Sequence, residues 1–251
     1  MQNEEIKVNN GKYDVYGEKY IPLSPKGTPL VVLHDLFSSS KDLRKYIDYF
    51  VNEGYTVYSF DFCGMTKKSL ADNSYLTIEN GLKDIQAIIN IVEEKKDQLT
   101  IFGVGHGGFL ALIYASKNPA VVAKVLCQSP TLSIPDLARK GILPFAKFNP
   151  NDIESTWKPK LFTKYSFNYA KEAVTLDIDK ILKQVLCPVC MVLGGMDEYV
   201  SATYGRKALE ELSKDSFVYF IRKAKHNFSS KEIDLTIGYY KEFLKEKRLG
   251  I

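Results

Sequence analysis

Short apolar runs alternate with segments of helical periodicity along almost the whole chain. The pattern predicts an opening antiparallel hairpin over residues 5–22, then buried strands at 30–34, 56–61, 99–103, 122–128, 189–194 and 217–221. Helices are predicted among and after these strands at 41–52, 78–95, 106–117, 201–213 and 231–247. Alternation of this kind favours a mostly parallel sheet covered by helices on both faces. The sequence therefore predicts an α/β fold with a doubly wound sheet.

Composition argues against several classes of protein. The 251 residues carry a net charge of +4 and are 45% hydrophobic, which is ordinary for a globular chain. Because no basic stripe or recognition module is visible, we expect no nucleic-acid partner. Apolar runs stay well short of the roughly 20 residues of a membrane span, so none is expected. Most of the four cysteines lie in apolar, strand-like surroundings, as reduced thiols of a cytoplasmic protein do. We expect no metal and no cofactor, and the sequence defines no oligomeric state.

Residues 131–178 interrupt the alternation. The stretch is longer than an ordinary connection and rich in aromatic residues, and it contains the chain's single tryptophan, Trp157. One interpretation is a lid inserted over a pocket, and the other is an extra helical pair packed on the edge of the sheet. We expect residues 1–130 and 179–251 to form the core domain, with residues 131–178 as the inserted lid.

A glycine-rich turn joins the predicted strand 99–103 to the helix after it. Gly103, Gly105 and Gly107 form a G-x-G-x-G pattern, and serine at its centre would make the G-x-S-x-G turn that presents a nucleophile. The central residue of that turn adopts a sparsely populated backbone conformation, which strains a residue with a side chain by roughly 1–3 kcal/mol. Glycine relieves most of that strain but has no hydroxyl. Gly105 therefore stands at a nucleophile position without a nucleophile.

An acidic residue and a histidine follow the last two predicted strands. Asp197 comes after strand 189–194, and His226 comes after strand 217–221. Residues just beyond the carboxyl ends of parallel strands meet in one crevice, so we expect these side chains to approach each other. A carboxylate that accepts from one ring nitrogen orients the imidazole and leaves the other nitrogen as a base. The chain order of nucleophile, acid and histidine is that of a nucleophilic triad.

Together these motifs resemble the α/β-hydrolase family, such as its monoacylglycerol lipases and feruloyl esterases. The resemblance covers nearly the whole chain and rests on five segments, at 34–37 (His-Asp-Leu-Phe), 61–64 (Asp-Phe-Cys-Gly), 103–107, 195–197 (Gly-Met-Asp) and 225–228 (Lys-His-Asn-Phe). It implies the α/β-hydrolase fold and an esterase- or lipase-type site.

The resemblance also implies roles for individual residues. Asp197 would be the triad acid and His226 the base. The backbone N–H groups of Leu36 and His106 would form the oxyanion hole, in which preorganised donors face developing charge. The residues expected to contact the ligand are His34, Asp35, Ser129 and Trp157.

Two residues depart from the usual family pattern. The family has His-Gly where this chain has His34 and Asp35, and it has a nucleophile where this chain has Gly105. Both departures resemble the N-myc downstream-regulated group, whose members have the hydrolase fold and are regarded as non-catalytic. A carboxylate close to the oxyanion hole would also repel a developing negative charge.

These features leave several functional hypotheses. The first is a site that is inactive or nearly so and binds a small acyl or aromatic, ester-like ligand or a protein partner. The second is a carboxylic-ester hydrolase in which Gly105 has replaced the serine. A third and a fourth hypothesis use the retained pair: hydrolysis by water with His226 as general base, or proton abstraction by Asp197 and His226, as in cofactor-free oxygenases of similar fold.

Overall fold

The computed structural model describes residues 1–72, 74–94, 99–160 and 165–245. The strands within these ranges are β1 (Gln2–Asn9), β2 (Asp14–Ile21), β3 (Pro29–Leu33), β4 (Thr56–Asp61), β5 (Leu99–Val104), β6 (Val122–Gln128), β7 (Ile142–Leu143), β8 (Ala146–Lys147), β9 (Lys158–Pro159), β10 (Val189–Gly194) and β11 (Phe217–Ile221). The helices are α1 (Arg44–Asn52), α2 (Ile78–Asn90), α3 (His106–Lys117), α4 (Ile134–Arg139), α5 (Ile153–Thr156), α6 (Phe167–Thr175), α7 (Ile178–Gln184), α8 (Ala202–Glu211) and α9 (Ser230–Lys245).

The main sheet has eight strands in the order β1-β2-β4-β3-β5-β6-β10-β11. β1 and β2 form the predicted antiparallel hairpin, and β2 also pairs antiparallel with β4. All the other neighbouring pairs of this sheet are parallel. The predicted mostly parallel α/β sheet is therefore confirmed.

Helices cover both faces of the sheet, because the side chains of its strands alternate between two apolar clusters. Val31 and Leu33 of β3 belong to the cluster that includes residues of α2 and α3. Leu30 and Val32 of the same strand belong to the opposite cluster, which includes residues of α1 and α9. All four side chains are fully buried. The strands consequently read as continuous apolar runs, as expected for a sheet covered on both faces.

Four predicted helices differ from the structure at their ends. The helix predicted at 201–213 is one residue shorter at its start and two shorter at its end, as Ala202–Glu211. The helix predicted at 78–95 ends at Asn90, where the N–H groups of Ile91 and Val92 turn to carbonyls three residues back. Bonds of this shorter span tighten and close a helix, although the apolar periodicity continues beyond them. The helix predicted from 41 begins instead as a 3₁₀ turn over Ser40–Leu43. The last helix is described to Lys245, so its predicted end at 247 lies outside the described residues.

The stretch 131–178 contains α4, α5, α6 and the small antiparallel sheet β7-β8-β9, which the sequence did not predict. Strands of two residues carry no readable periodicity, so this sheet leaves no signal in the pattern. The stretch packs through stacked rings, with the centroids of Phe145 and Tyr165 4.2 Å apart. It is also tied to the start of α2, where Glu172 accepts hydrogen bonds from the N–H groups of Ile78 (2.6 Å) and Glu79 (3.0 Å). Among the described helices, none is long and apolar enough to cross a membrane.

Candidate active site

The turn from β5 into α3 has the sharp geometry that its sequence predicts. Gly105 adopts φ 53° and ψ −116°, in the left-handed half of backbone space that side chains disfavour. Its N–H donates to the carbonyl of Gln128 (2.9 Å) and its carbonyl accepts from the N–H of Phe109 (3.1 Å). The backbone at this position is therefore that of a strained elbow, and glycine occupies it without the strain.

The space beside Gly105 is filled by the carboxylate of Asp35. A β-carbon placed on Gly105 would overlap the carboxyl carbon and both oxygens of Asp35. Asp35 belongs to the turn after β3, which the sheet places next to β5. The volume that a nucleophilic side chain at position 105 needs is thus occupied by a side chain from the neighbouring strand end.

The two N–H groups predicted to form an oxyanion hole converge on one atom of this carboxylate. Asp35 Oδ1 accepts hydrogen bonds from the backbone N–H of Leu36 (2.7 Å) and from that of His106 (2.6 Å). His106 is the first residue of α3, so its N–H lies at the positive end of the helix dipole. Both N–H groups predicted for the hole are therefore bonded to an internal carboxylate.

Asp197 and His226 meet as the triad order predicts. His226 Nδ1 lies 2.8 Å from Asp197 Oδ2. The other oxygen, Oδ1, accepts from the N–H groups of Tyr199 (2.8 Å) and Val200 (2.9 Å), which fix the carboxylate in place. Burial alone would raise the pKa of Asp197, but its hydrogen bond from His226 lowers it. The acid is therefore an ionised, fully buried side chain that orients the imidazole.

The second ring nitrogen of His226 faces Asp35, at 3.3 Å between Nε2 and Oδ2. Burial opposes a charge on the ring, but the hydrogen bonds to Asp197 and Asp35 outweigh it and raise the pKa of His226 to about 9. With a carboxylate against each nitrogen, both nitrogens act as donors. The imidazole is consequently protonated at neutral pH and lies between two carboxylates.

A cavity of about 520 Å³ opens above this array. Its walls come from the turn after β3, the segment after β11, and α4 with the residue that follows β7. The residues that line it are Asp35, Leu36, Phe37, Ser38, Asp42, Leu43, Tyr46, Val104, Gln128, Thr131, Ser133, Ile134, Leu137, Pro144, Tyr199, His226, Asn227, Phe228 and Ile233. A volume of this size accommodates a small organic ligand.

Three residues expected to contact the ligand lie outside that lining. His34 is fully buried; its Nδ1 lies 2.8 Å from the Asp35 carbonyl and its Nε2 accepts from the N–H of Phe62 (3.1 Å). Burial lowers the pKa of His34, so the ring is a neutral brace for the turn that carries Asp35. Trp157 packs against Phe148, with ring centroids 5.4 Å apart. Ser129 is fully buried at the end of β6 with φ 43°.

Sequence reasoning missed most of the cavity wall. Tyr46, Gln128, Thr131, Tyr199 and Phe228 line the cavity, yet they come from five separate parts of the chain. The Tyr46 hydroxyl donates to Gln128 Oε1, which joins α1 to the end of β6 beneath the cavity. No local pattern indicates such a set. For Phe228 a signal was available, because it lies two residues after the predicted base His226.

The fold and the His–Asp pair beside a sharp strand-to-helix turn define an α/β hydrolase, as the sequence predicted. The chain belongs to the serine aminopeptidase S33 family, whose model matches residues 24–184, more than half of its length. A curated relative, a probable alcohol acetyltransferase of Cyberlindnera fabianii, is 32% identical over 104 residues, which are 40% of this chain and 25% of that protein. The chain therefore spans about a quarter of the length of that relative.

Solved structures share the fold over almost the whole chain. Est1E from Butyrivibrio proteoclasticus, in a structure with ferulic acid bound, superposes with a TM-score of 0.84 at 18% identity, covering 96% of this chain and 98% of that one. Mouse alpha/beta hydrolase domain-containing protein 10 gives a TM-score of 0.75 at 17% identity over 96% and 98% of the two chains. At these identities the similarity shows the fold and not the activity.

Proposed function

We propose that this protein binds a small, partly apolar ligand at an esterase-type site and does not turn it over by acyl-enzyme chemistry. The observation that carries the proposal is the carboxylate of Asp35, which accepts from both N–H groups of the oxyanion hole. The same carboxylate fills the volume beside Gly105. Acyl transfer needs a nucleophile in that volume and open donors in that hole.

Loss of the nucleophile has a large effect on rate by itself. Removing the serine of a working triad lowers turnover by about 10⁶, and the remaining catalysis comes from the oxyanion hole and substrate binding. Here the hole is also occupied, so that remaining catalysis is lost as well. We therefore place the esterase turnover of this chain at the level of uncatalysed hydrolysis.

The two hypotheses that use the retained pair lack a free base. Water-mediated hydrolysis and proton abstraction both require an unprotonated nitrogen on His226 that faces the cavity. Nε2 instead faces Asp35 Oδ2 at 3.3 Å, and the pKa of the ring is raised to about 9 by its two carboxylate partners. A negatively charged intermediate would also find the N–H donors of Leu36 and His106 already taken. The geometry thus favours binding over either chemistry.

A lid over the cavity is part of the proposal. Ile134, Leu137 and Pro144 line the cavity and belong to the stretch 131–178. They add an apolar wall to a cavity whose floor, Asp35 and His226, is charged. Such a wall suits a ligand with an acyl or aromatic body. The lid interpretation of this stretch is supported by that wall.

The test is a turnover assay on the unmodified protein with p-nitrophenyl esters of acetate, butyrate and a phenylpropanoid acid. The expected rates equal those of a His226→Gln variant, which keeps a polar side chain of similar reach. Hydrolysis by the unmodified chain that disappears in the His226→Gln variant would overturn the proposal. Circular dichroism of both proteins verifies that the comparison is made on folded chains.

A second candidate function is a carboxylic-ester hydrolase whose serine has been replaced by Gly105. The observation that favours it is the intact contact between His226 Nδ1 and Asp197 Oδ2 at 2.8 Å. The two candidates agree on the chain as it stands and differ in what happens when serine returns and Asp35 is removed. Turnover in that double variant favours the second candidate, and a folded double variant without turnover favours the binding role.

A further inference from the structure

The donors around Gly105 that an ester oxygen would use all face Asp35. The N–H groups of Leu36 and His106 both point at Asp35 Oδ1, at 2.7 and 2.6 Å. The third donor, His226 Nε2, faces Asp35 Oδ2 at 3.3 Å. The donors that would receive the oxygen of an ester or an acid are therefore satisfied from within the chain. What the floor offers instead is a carboxylate.

Most of the charged side chains around the cavity are acidic. Asp35 and Asp42 line the cavity with His226, and no lysine or arginine belongs to the described lining. Asp197 lies directly behind His226. Asp35 and Asp197 lie against the two ring nitrogens of His226, and Asp42 adds a third carboxylate to the surroundings of the cavity, so the net charge there is negative. In a partly enclosed site such charges act more strongly than on an open surface.

The walls add surfaces that suit an organic cation. Phe37, Tyr46, Tyr199 and Phe228 all line the cavity, and aromatic faces attract a cation positioned over them. Tyr199 also packs against the His226 ring, with centroids 5.1 Å apart. Apolar side chains from α4 cover the opposite side, where an uncharged body can be buried.

One hydroxyl of the cavity wall is buried without a partner. Thr131 lines the cavity and is 5% exposed, and its Oγ1 has no hydrogen-bond partner among the described residues. Because this oxygen has almost no accessible surface, it does not contribute to the ligand preference.

Resting on the proposed function, we infer that the cavity selects a primary amine carried on an aromatic or alkyl body, bound as the ammonium ion. The ammonium group lies toward Asp35 Oδ2 and Asp42, and the body lies between the aromatic rings and α4. A carboxylate of the same shape is disfavoured, because it meets the charge of Asp35 and finds the N–H groups of Leu36 and His106 already bonded. Ligand preference is therefore opposite to that of an open oxyanion hole.

Three probes of matched shape test this inference: 3-phenylpropylamine, 3-phenylpropan-1-ol and 3-phenylpropanoate, titrated into the unmodified protein by calorimetry at pH 7. The amine is expected to bind at least tenfold more tightly than the alcohol, and the carboxylate to give no detectable heat. Raising the salt concentration is expected to weaken binding of the amine and to leave binding of the alcohol unchanged. Equal affinities for the amine and the carboxylate, or no binding of the amine at millimolar concentration, would overturn the inference.

Two isosteric variants test which carboxylate gives the preference for the amine over the alcohol. Asp35→Asn removes the floor charge, so the tenfold advantage of the amine over the alcohol is expected to disappear. Asp42→Asn removes an exposed charge at the rim and is expected to reduce the same ratio about threefold. If Asp35→Asn does not fold, two other measurements decide: the amine-to-alcohol affinity ratio of Asp42→Asn, and the salt dependence of that ratio in the unmodified protein. A ratio that changes neither in Asp42→Asn nor with salt would contradict the inference.

Failure of the inference is distinguishable from failure of the proposed function. The p-nitrophenyl ester of 3-phenylpropanoic acid reports turnover in the same cavity. Hydrolysis dependent on His226 would overturn the proposed function whatever the order of affinities. Absence of turnover together with equal affinities for the three probes would overturn the amine preference and leave the proposed function standing.

Discussion

The two halves of the candidate site differ in what their side chains can do. The loops after β10 and β11 hold the Asp197–His226 pair at 2.8 Å, as a working hydrolase requires. The turns after β3 and β5 hold Asp35 and Gly105, of which one fills the oxyanion hole and the other lacks a side chain. One half has the contact that a proton-transfer pair needs, and in the other a carboxylate accepts from both N–H groups and fills the space beside the glycine. The comparison teaches that one side chain can close two neighbouring parts of a site at once.

The largest expected effect is recovery of turnover when both replaced positions are changed. Asp35→Gly with Gly105→Ser frees the N–H donors and supplies a hydroxyl next to His226. On the second candidate function, hydrolysis of p-nitrophenyl butyrate is expected to rise at least about 10³-fold above that of the unmodified chain, within the roughly 10⁶ that a complete triad provides. On the binding role, a folded double variant is expected to stay at background. Release of p-nitrophenolate measures it.

Two controls sharpen this result. The double variant with His226→Gln added is expected to return to background, because the retained half then has no base. Gly105→Ser by itself is expected to stay at background, since the Asp35 carboxylate occupies the space of the new side chain. An active single variant would show that Asp35 does not block the site.

The next effect in size concerns stability at the elbow. Gly105→Ala is expected to lower the free energy of unfolding by about 3–4 kcal/mol, from backbone strain and from overlap with Asp35. In an Asp35→Gly background the same change should cost about 1–2 kcal/mol, because strain remains and overlap does not. Urea denaturation of the four proteins gives the coupling between the two positions. An equal cost in both backgrounds would mean that the two side chains do not compete for one volume.

A pH effect of smaller size belongs to the retained half. The pKa of His226 is about 9 in the folded chain, against an ordinary value of 6.5. A raised folded pKa gives stability that is fully present below pH 6.5 and is lost as the pH rises through 9. The loss should be on the order of 3 kcal/mol. Denaturation curves between about pH 6 and pH 10 measure it, and a His226→Gln variant should lack this part of the decline.

The smallest expected effects distinguish two hydroxyls of the cavity wall. Thr131 Oγ1 is buried without a partner among the described residues, so Thr131→Val should be neutral or stabilise the fold by up to about 1 kcal/mol. Ser133 Oγ donates to the carbonyl of Tyr199 at 2.7 Å, so Ser133→Ala should cost about 1 kcal/mol. Thermal unfolding of both variants measures the contrast. Destabilisation by Thr131→Val equal to that by Ser133→Ala would indicate that Thr131 already has a partner.

The regular part of the fold was predictable from local pattern. The strands at 122–128 and 189–194 and the helix at 106–117 are confirmed with their predicted ends, because each is an apolar run closed by a clear turn or proline signal. The predicted end of α2 was wrong, because hydrogen bonds of shorter span from Ile91 and Val92 close the helix while its apolar periodicity continues. The small sheet within 131–178 was missed because its strands are too short to carry a period.

Three positions of the site and the contact between Asp197 and His226 were predictable from the sequence, whereas most of the cavity wall and the contacts of Asp35 were not. Gly105, Asp197 and His226 could be identified because each follows the end of a strand in the parallel sheet. The sequence also showed that Asp35 and Gly105 both depart from the family pattern. That one departure fills the space left by the other depends on the turns after β3 and β5 lying side by side, which no local pattern records. The contacts of Asp35 therefore came from the structure.

Because Asp35 overlaps any side chain at position 105, both positions have to change before a serine could act there. Serine at 105 with Asp35 still in place meets a carboxylate in its own volume. Glycine at position 35 with Gly105 still in place frees the N–H groups of Leu36 and His106 but supplies no nucleophile. On the proposed function, neither single substitution is expected to give turnover. The two neighbouring turns therefore have to be varied together in any attempt to build an esterase on this chain.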